Sequence, residues 1–125
     1  MTFVLREDHV RRMAMEWHRQ NPQFTIGILV AAEILRADDE RALARVPGLI
    51  RIATGHGLFS KKDVVQFTGA SLLAGGDIST APAIRAALAR KPEHEAAFME
   101  KVMRWLGPAY WTHLGGKVRP FDERL

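Results

Sequence analysis

The sequence has no cysteine, which excludes both a disulfide framework and a thiolate metal site. It also lacks a long apolar run. The most apolar stretch, residues 24–35, has about half of the roughly 20 residues that a membrane-spanning helix needs. The first eight residues lack the basic start and the apolar stretch of a signal peptide. We therefore expect a soluble, cytoplasmic protein that does not associate with a membrane.

Long runs of one charge are missing as well. The net charge of +4 invites a nucleic-acid hypothesis, but basic residues never stand more than two together, as in Arg11-Arg12 and Lys61-Lys62. Dispersed charge of this kind is most often a solvated surface, although a mildly basic surface could also attract an acidic partner. Nucleic acid is therefore not the expected partner.

The sequence has the length and composition of one globular domain, with 125 residues of which 47% are apolar. Apolar residues at helical spacing, separated by helix start and stop signals, recur through residues 1–108. This pattern predicts an all-α fold, an irregular bundle of five to seven helices. Residues 109–125 have turn residues and large aromatics but no helical period, which predicts a non-helical tail docked on the same domain.

The first two helices are predicted from the spacing of apolar residues. In the first, four apolar residues should form one buried stripe: Val10, Met13, Ala14 and Trp17. Asn21-Pro22 should end this helix, because the residue before a proline is pushed out of the helical region. Residues 24–36 are apolar nearly all round and should form the most enclosed helix, although part of this segment could also be a strand.

The next helix should begin at acidic residues 38–40. Pro47-Gly48 should kink it or split it in two. Gly55 or Gly57 can adopt the left-handed conformation that ends a helix.

Four further signals divide the rest of the chain into helices. Ser60 should cap a helix over residues 61–74, with Asp63 reaching back to the Ser60 amide as a short capping box. The remaining signals are Gly75-Gly76 as a stop, Ser79 or Thr80 as the cap of a helix that has Pro82 near its first position, and Pro92 as the start of a last helix that ends at Gly107-Pro108.

No motif for catalysis or metal binding is found. His94-Glu95 begins like a zinc-protease helix, but Phe98 stands where the second histidine is needed. The glycines at positions 55 and 57 do not form a phosphate-binding loop, and no serine has the Gly-x-Ser-x-Gly elbow. We therefore predict no catalytic residue, no metal and no cofactor, with an enzyme that has a dispersed active site as an open alternative.

Two sets of residues are candidates for binding a partner. Lys61 and Lys62 lie in the first turn of a helix, where free backbone N–H groups could attract a carboxylate or a phosphate. The tail supplies aromatic and basic side chains of the kind enriched at interface hot spots: Tyr110, Trp111, His113, Lys117 and Arg119. Simple solvent exposure of the lysines, and docking of the tail on its own core, are the alternative explanations.

Residues 50–78 combine a Gly-His-Gly-Leu turn, a Ser-x-x-Asp-Val-x-x-Phe run from Ser60 to Phe67, and a Gly-Gly-Asp turn. This pattern resembles an element of small helical bacterial proteins encoded beside type VI secretion cargo. Those proteins show A-x-x-x-G-[IL]-x-S-x-x-D-V-x-x-[FY] followed by a Gly-Asp or Gly-x-Phe-Asp turn. Here His56 replaces the more usual aromatic residue, and the Phe-Asp pair is missing. The resemblance implies a cytoplasmic immunity protein or toxin adaptor and no catalytic residues.

These observations favour a non-catalytic protein-binding module, an immunity protein or an adaptor whose partner is a secreted toxin or its carrier. The alternative is a nucleic-acid-binding protein in which residues 49–74 form a helix-turn-helix, with Lys61 and Lys62 starting the second helix. This second helix offers few side chains that read bases, chiefly Gln66. The oligomeric state is left open.

Overall fold

The fold is all-α, as predicted, with a two-stranded ladder near the C-terminus. The computed structural model describes residues 6–121, so the first five residues and the last four residues of the tail lie outside it. Within this range the elements are α1 (Glu7–Gln20), α2 (Pro22–Ala31), α3 (Glu40–Gly55), α4 (Lys61–Ala74), β1 (Gly76–Asp77), α5 (Pro82–Ala89), α6 (Phe98–Thr112) and β2 (Arg119–Pro120), with 3₁₀ turns at Ile78–Thr80 and Leu114–Gly116.

The central helix of the bundle is α4, which packs against α2, α3 and α6. It buries six residues on several faces, and three of them are polar: Asp63, Thr68 and Ser71, beside Val64, Phe67 and Gly69. The prediction that the second helix is the most enclosed is therefore wrong. Helix α2 buries only Thr25 and Leu29, because it packs on α4 from one side of the bundle.

The predicted segment 24–36 is helical and not a strand, but helix α2 ends at Ala31 and not near residue 36. Glu33 takes a positive φ of 60°, and the amides of Ile34 and Leu35 both donate to the Leu29 carbonyl. This turn folds Leu35 back into the core, where it is buried.

Helix α3 follows the predicted signals at both ends. The side chain of Asp39 accepts from the amide of Ala42, and Gly57, with a φ of +88°, provides the left-handed turn. Pro47 lies inside one continuous helix, so of the two predicted outcomes, a kink or a split, the split does not occur.

Ser60 caps α4 as predicted, since its Oγ accepts from the amide of Asp63 at 3.1 Å. Asp63 does not reach back to the Ser60 amide, so the capping-box prediction is wrong. Its two carboxylate oxygens accept from the amides of Phe98 (3.1 Å) and Met99 (3.0 Å). One buried side chain thus satisfies the free N–H groups at the start of α6 and joins the starts of α4 and α6.

This contact also explains why the last helix begins at Phe98 and not at Pro92. Residues 92–97 form turns, and the side chain of Glu95 accepts from the amide of Ala97 in the last of them. Burial raises the pKa of the Asp63 carboxyl, while the amides of Met99 and Phe98 act in the opposite direction.

The chain does not leave the helical conformation for good at Gly107. This residue breaks α6 with a φ of 79°, but Pro108 to Thr112 continue as a short helical segment. The prediction of a wholly non-helical tail is therefore wrong for residues 109–112. Farther on, Leu114 and Val118 are buried in the core, and β2 pairs antiparallel with β1.

Neither Ser79 nor Thr80 caps α5, contrary to the prediction. The N-cap position is Ala81, followed by Pro82 at the first helical position as expected. Thr80 holds the C-terminal strand instead: its Oγ1 accepts from the amide of Arg119 at 2.7 Å and donates to the carbonyl of Asp77 at 2.6 Å.

Candidate functional site

Of the apolar stripe predicted to be buried in α1, Ala14 is half-buried and the other three residues face solvent. Val10, Met13 and Trp17 are 50%, 61% and 39% exposed. Helix α1 instead packs on the bundle through polar side chains of its opposite face: His18 Nε2 donates to the carbonyl of Phe59 at 3.1 Å, and Arg19 Nε donates to Thr54 Oγ1 at 2.8 Å. The polar side of this amphipathic helix therefore provides its anchors, and its apolar side remains uncovered.

This apolar surface extends onto α2. The rings of Trp17 and Phe24 meet edge to face with centroids 5.1 Å apart, and Ile28, one turn farther along α2, is 40% exposed. We call these five residues the α1–α2 patch: Val10, Met13, Trp17, Phe24 and Ile28. Lys61 Nζ lies over both rings, 5.6 Å from the Trp17 centroid and 5.2 Å from the Phe24 centroid.

A second apolar surface lies between α4 and α6. It is a groove of about 800 Å³ with residues of the α2 end, α4, α6 and the following turn in its walls, and among them are Leu29, Ile34, Gly69, Ala70, Leu73 and Trp111. Leu73 lies on its rim and is exposed, while Trp111 Nε1 donates to the carbonyl of Met103 at 3.2 Å. We call this surface the α4–α6 groove.

The seven predicted partner-binding residues do not form one surface. Lys61 joins the α1–α2 patch, and Lys62 forms an ion pair with Glu100 at 2.8 Å beside the α4–α6 groove. These lysines lie at the start of α4, whereas the tail contacts its C-terminal end, about 20 Å away at 1.5 Å per residue.

The tail residues are themselves divided. Trp111 lines the α4–α6 groove, while Lys117 Nζ lies 5.2 Å from the Tyr110 ring centroid. Burial raises the pKa of the Tyr110 phenol. His113 and Arg119 are exposed, and the amide of Arg119 holds β2 in place as described above.

The sequence prediction missed His18, which is 2% exposed. Its Nε2 has the Phe59 carbonyl as partner, but its Nδ1 is buried without any partner among residues 6–121. Burial lowers the pKa of this imidazole, and the positive charge of Lys61 acts in the same direction. Burial in the folded protein therefore favours the neutral form of His18.

This burial predicts a loss of stability in mild acid. The unfolded chain takes up a proton near the ordinary histidine pKa of about 6.5, whereas the folded chain resists it. We expect the free energy of unfolding to fall as the pH decreases below about 6.5 and to level off below the depressed pKa of the folded state.

Urea unfolding between pH 7.5 and pH 5 measures this effect. The matched variant is His18→Gln, which can still donate to the Phe59 carbonyl but does not titrate. The difference between the two pH profiles isolates His18 from the other titrating groups. Parallel profiles would show that His18 does not carry this pH dependence.

Three other structural findings bear on function. Within residues 6–121, no three histidine, aspartate or glutamate side chains cluster closely enough to hold a metal ion. In the same residues, no helix combines the length and the apolar character needed to span a bilayer. The open side of α4 carries mainly small and apolar residues of the groove, such as Val65 and Ala70, where a recognition helix would need polar side chains.

The turn between α3 and α4, on which the resemblance to proteins encoded beside type VI secretion cargo rests, has the capped geometry that the pattern predicts. Caps of this kind are common to many helical proteins, so the family assignment stays a prediction. Comparisons with known protein families, with curated proteins and with solved structures find no match for this chain.

Proposed function

We propose that this chain is a non-catalytic protein-binding module whose α1–α2 patch contacts the partner. The observation that carries the proposal is the exposure of Val10, Met13 and Trp17 on one face of α1. In more detail, we propose a cytoplasmic bacterial protein, either an immunity protein or an adaptor for a secreted effector, whose partner is the toxin or its carrier.

Contiguous exposed apolar surface supports this proposal, because single apolar residues are common on protein surfaces and joined ones are not. Tryptophan and methionine are enriched in the centres of interfaces, and tryptophan dominates hot spots. The Trp17 and Phe24 rings already contact each other and the Lys61 ammonium group. These two rings would therefore lose little side-chain entropy when a partner binds.

Nucleic-acid binding has less support. A helix-turn-helix needs a second helix that projects polar side chains into the major groove. Here α4 is the central helix, and Lys62 is paired with Glu100. If the chain did bind nucleic acid, its affinity for random duplex DNA would fall steeply as the salt concentration rises.

Co-expression with the product of the neighbouring gene tests the proposal. We expect a stable one-to-one complex, and we expect Trp17→Ala or Met13→Glu to weaken it by about 30-fold or more, the effect of losing a hot spot. The matched control is Trp105→Ala, since Trp105 is 65% exposed but lies on α6 outside the patch. Circular dichroism should show that all three variants remain folded.

Two results would contradict the proposal. One is recovery of the chain alone from the co-expression. The other is a complex that Trp17→Ala and Trp105→Ala weaken equally, since this would place the contact elsewhere.

A further inference from the structure

Helix α1 contributes nothing to the apolar core of the bundle. Among residues 6–121, neither the buried core nor the partly buried apolar side chains packed against it include any residue of α1. The only buried residue of this helix is His18. Helices α2 to α6 therefore enclose their core without α1.

Polar contacts hold the inner face of α1 instead. Near its C-terminal end these are the hydrogen bonds of His18 and Arg19 described above. Near its N-terminal end, Arg11 Nη1 donates to His94 Nδ1 at 2.6 Å, and Arg11 Nη2 lies 3.6 Å from a carboxylate oxygen of Glu93. Such bonds replace bonds to water, so each stabilises the docked helix less than the burial of a large apolar side chain would.

This kind of attachment favours local opening. Segments with few buried apolar contacts open at a lower free energy than the core of the same protein. A single residue, Asn21, lies between α1 and α2. Opening of α1 therefore needs a change at this junction and leaves the packing among α2 to α6 in place.

The buried histidine makes the attachment sensitive to protons. His18 Nε2 donates to the Phe59 carbonyl, whereas its Nδ1 is buried with no partner in residues 6–121. A protonated ring would place a second, unpaired N–H group there. The positive charge of Lys61 also opposes protonation, and Glu16 and Arg19, the charged neighbours on α1, pair with each other at 3.8 Å.

We propose that α1 opens from the bundle as a unit while α2 to α6 stay folded, and that protonation of His18 drives this opening. The ring accepts a proton readily only after it has left its buried position, where a second acceptor is missing. Each opening separates the α1 side of the α1–α2 patch from its α2 side. Control of partner binding by pH rests on the proposed function, whereas the opening itself does not.

Hydrogen exchange of the full chain, followed by NMR at pH 7.5 and pH 5.5, tests the opening. Division of the intrinsic exchange rate at each pH by the measured rate gives a protection factor for each amide. We expect the amides of α1 to be at least about 10-fold less protected than those of α4. Protection in α1 should fall by up to about 10-fold between the two pH values, because the open ring binds a proton near pH 6.5 and the docked ring resists it.

Two variants identify the responsible histidine. His18→Gln still donates to the Phe59 carbonyl but does not titrate, so protection in α1 should lose this pH dependence. The matched control is His94→Gln, which removes the other histidine that contacts α1 and should keep the pH dependence. The comparison of α1 with α4 uses the unaltered chain, so it holds even if a variant does not fold.

Three results would overturn the inference. Equal protection of α1 and α4 would show that α1 opens only when the whole protein unfolds. A pH dependence that survives in His18→Gln, or disappears in His94→Gln, would place the trigger elsewhere. An α1 without protection at pH 7.5 would leave no docked state for His18 to control. All three measurements use the chain alone, so they are independent of the co-expression test of the proposed function.

Discussion

Replacing Asp63 with alanine is expected to lower the free energy of unfolding by about 3 kcal/mol or more. The variant leaves two buried N–H groups, those of Phe98 and Met99, without the oxygens that now lie 3.1 and 3.0 Å away. Each unsatisfied buried donor costs about 1–3 kcal/mol, and relief of the buried charge offsets only part of that. Urea unfolding followed by circular dichroism measures the change.

Asp63→Asn and Ser60→Ala are the matched variants. Asparagine keeps the shape but has one oxygen, so its NH₂ group faces the second donor and we expect a loss of about 2 kcal/mol. Ser60→Ala removes a helix cap and the hydrogen bond that its Oγ donates to the Ala96 carbonyl at 2.6 Å, but it leaves the amides of Phe98 and Met99 paired and should cost about 1 kcal/mol. If Asp63→Asn proved no more harmful than Ser60→Ala, the link between the starts of α4 and α6 would be energetically unimportant.

Gly76→Ala is expected to lower the free energy of unfolding by about 2–3 kcal/mol, the usual effect of overpacking a tight site. A Cβ atom at this position would lie 2.0 Å from the Arg119 carbonyl oxygen. Since Gly76 pairs with Pro120 in the ladder, the added methyl group must push β2 away and loosen the buried Val118. Thermal and urea unfolding measure the loss.

Two other glycines control for the change of residue type. Gly116→Ala meets no atom within 4 Å and should change stability little. Gly27→Ala, in the interior of α2 and equally uncrowded, should stabilise the protein by about 0.5–1 kcal/mol through helix propensity. If Gly76→Ala behaved like Gly116→Ala, the contact between the two strands would not contribute to stability.

Local signals predicted much of the fold correctly. Asp39, Ser60, Gly57 and Gly75 all act at helix ends, as their side chains or backbone freedom indicate. Each of these signals works over three or four residues, so the chain needs no distant partner to express it. The all-α class followed from the same signals together with the helical spacing.

Three of the failed predictions involve distant contacts. Asp63 was assigned a neighbour three residues away, but its acceptor oxygens serve amides 35 and 36 positions along the chain. Pro92 seemed a good helix start, yet α6 begins at Phe98, the residue that Asp63 reaches. Thr80 was expected to cap α5 and holds the strand at Arg119 instead.

The candidate sites show the same division. The sequence singled out Lys61 and Trp111, and the structure puts each on an apolar surface, but it separates them at opposite ends of α4. The sequence analysis did not single out His18, because an isolated histidine within a helix carries no local signal. Gln66 was noted only as a base-reading side chain, and the structure places it in the wall of the α4–α6 groove.

Helix α1 shows most clearly what the sequence determines and what only the tertiary structure determines. The spacing of Val10, Met13 and Trp17 states that they share one side of a helix, which is a property of helical geometry alone. Whether that side meets the protein or the solvent depends on which neighbours are available to it. Here the bundle offers hydrogen-bonding groups of Phe59 and Thr54 to the other side. Residue order thus decided which segments are helical and several of the helix ends, while packing between distant segments decided where α6 begins and which surfaces stay exposed.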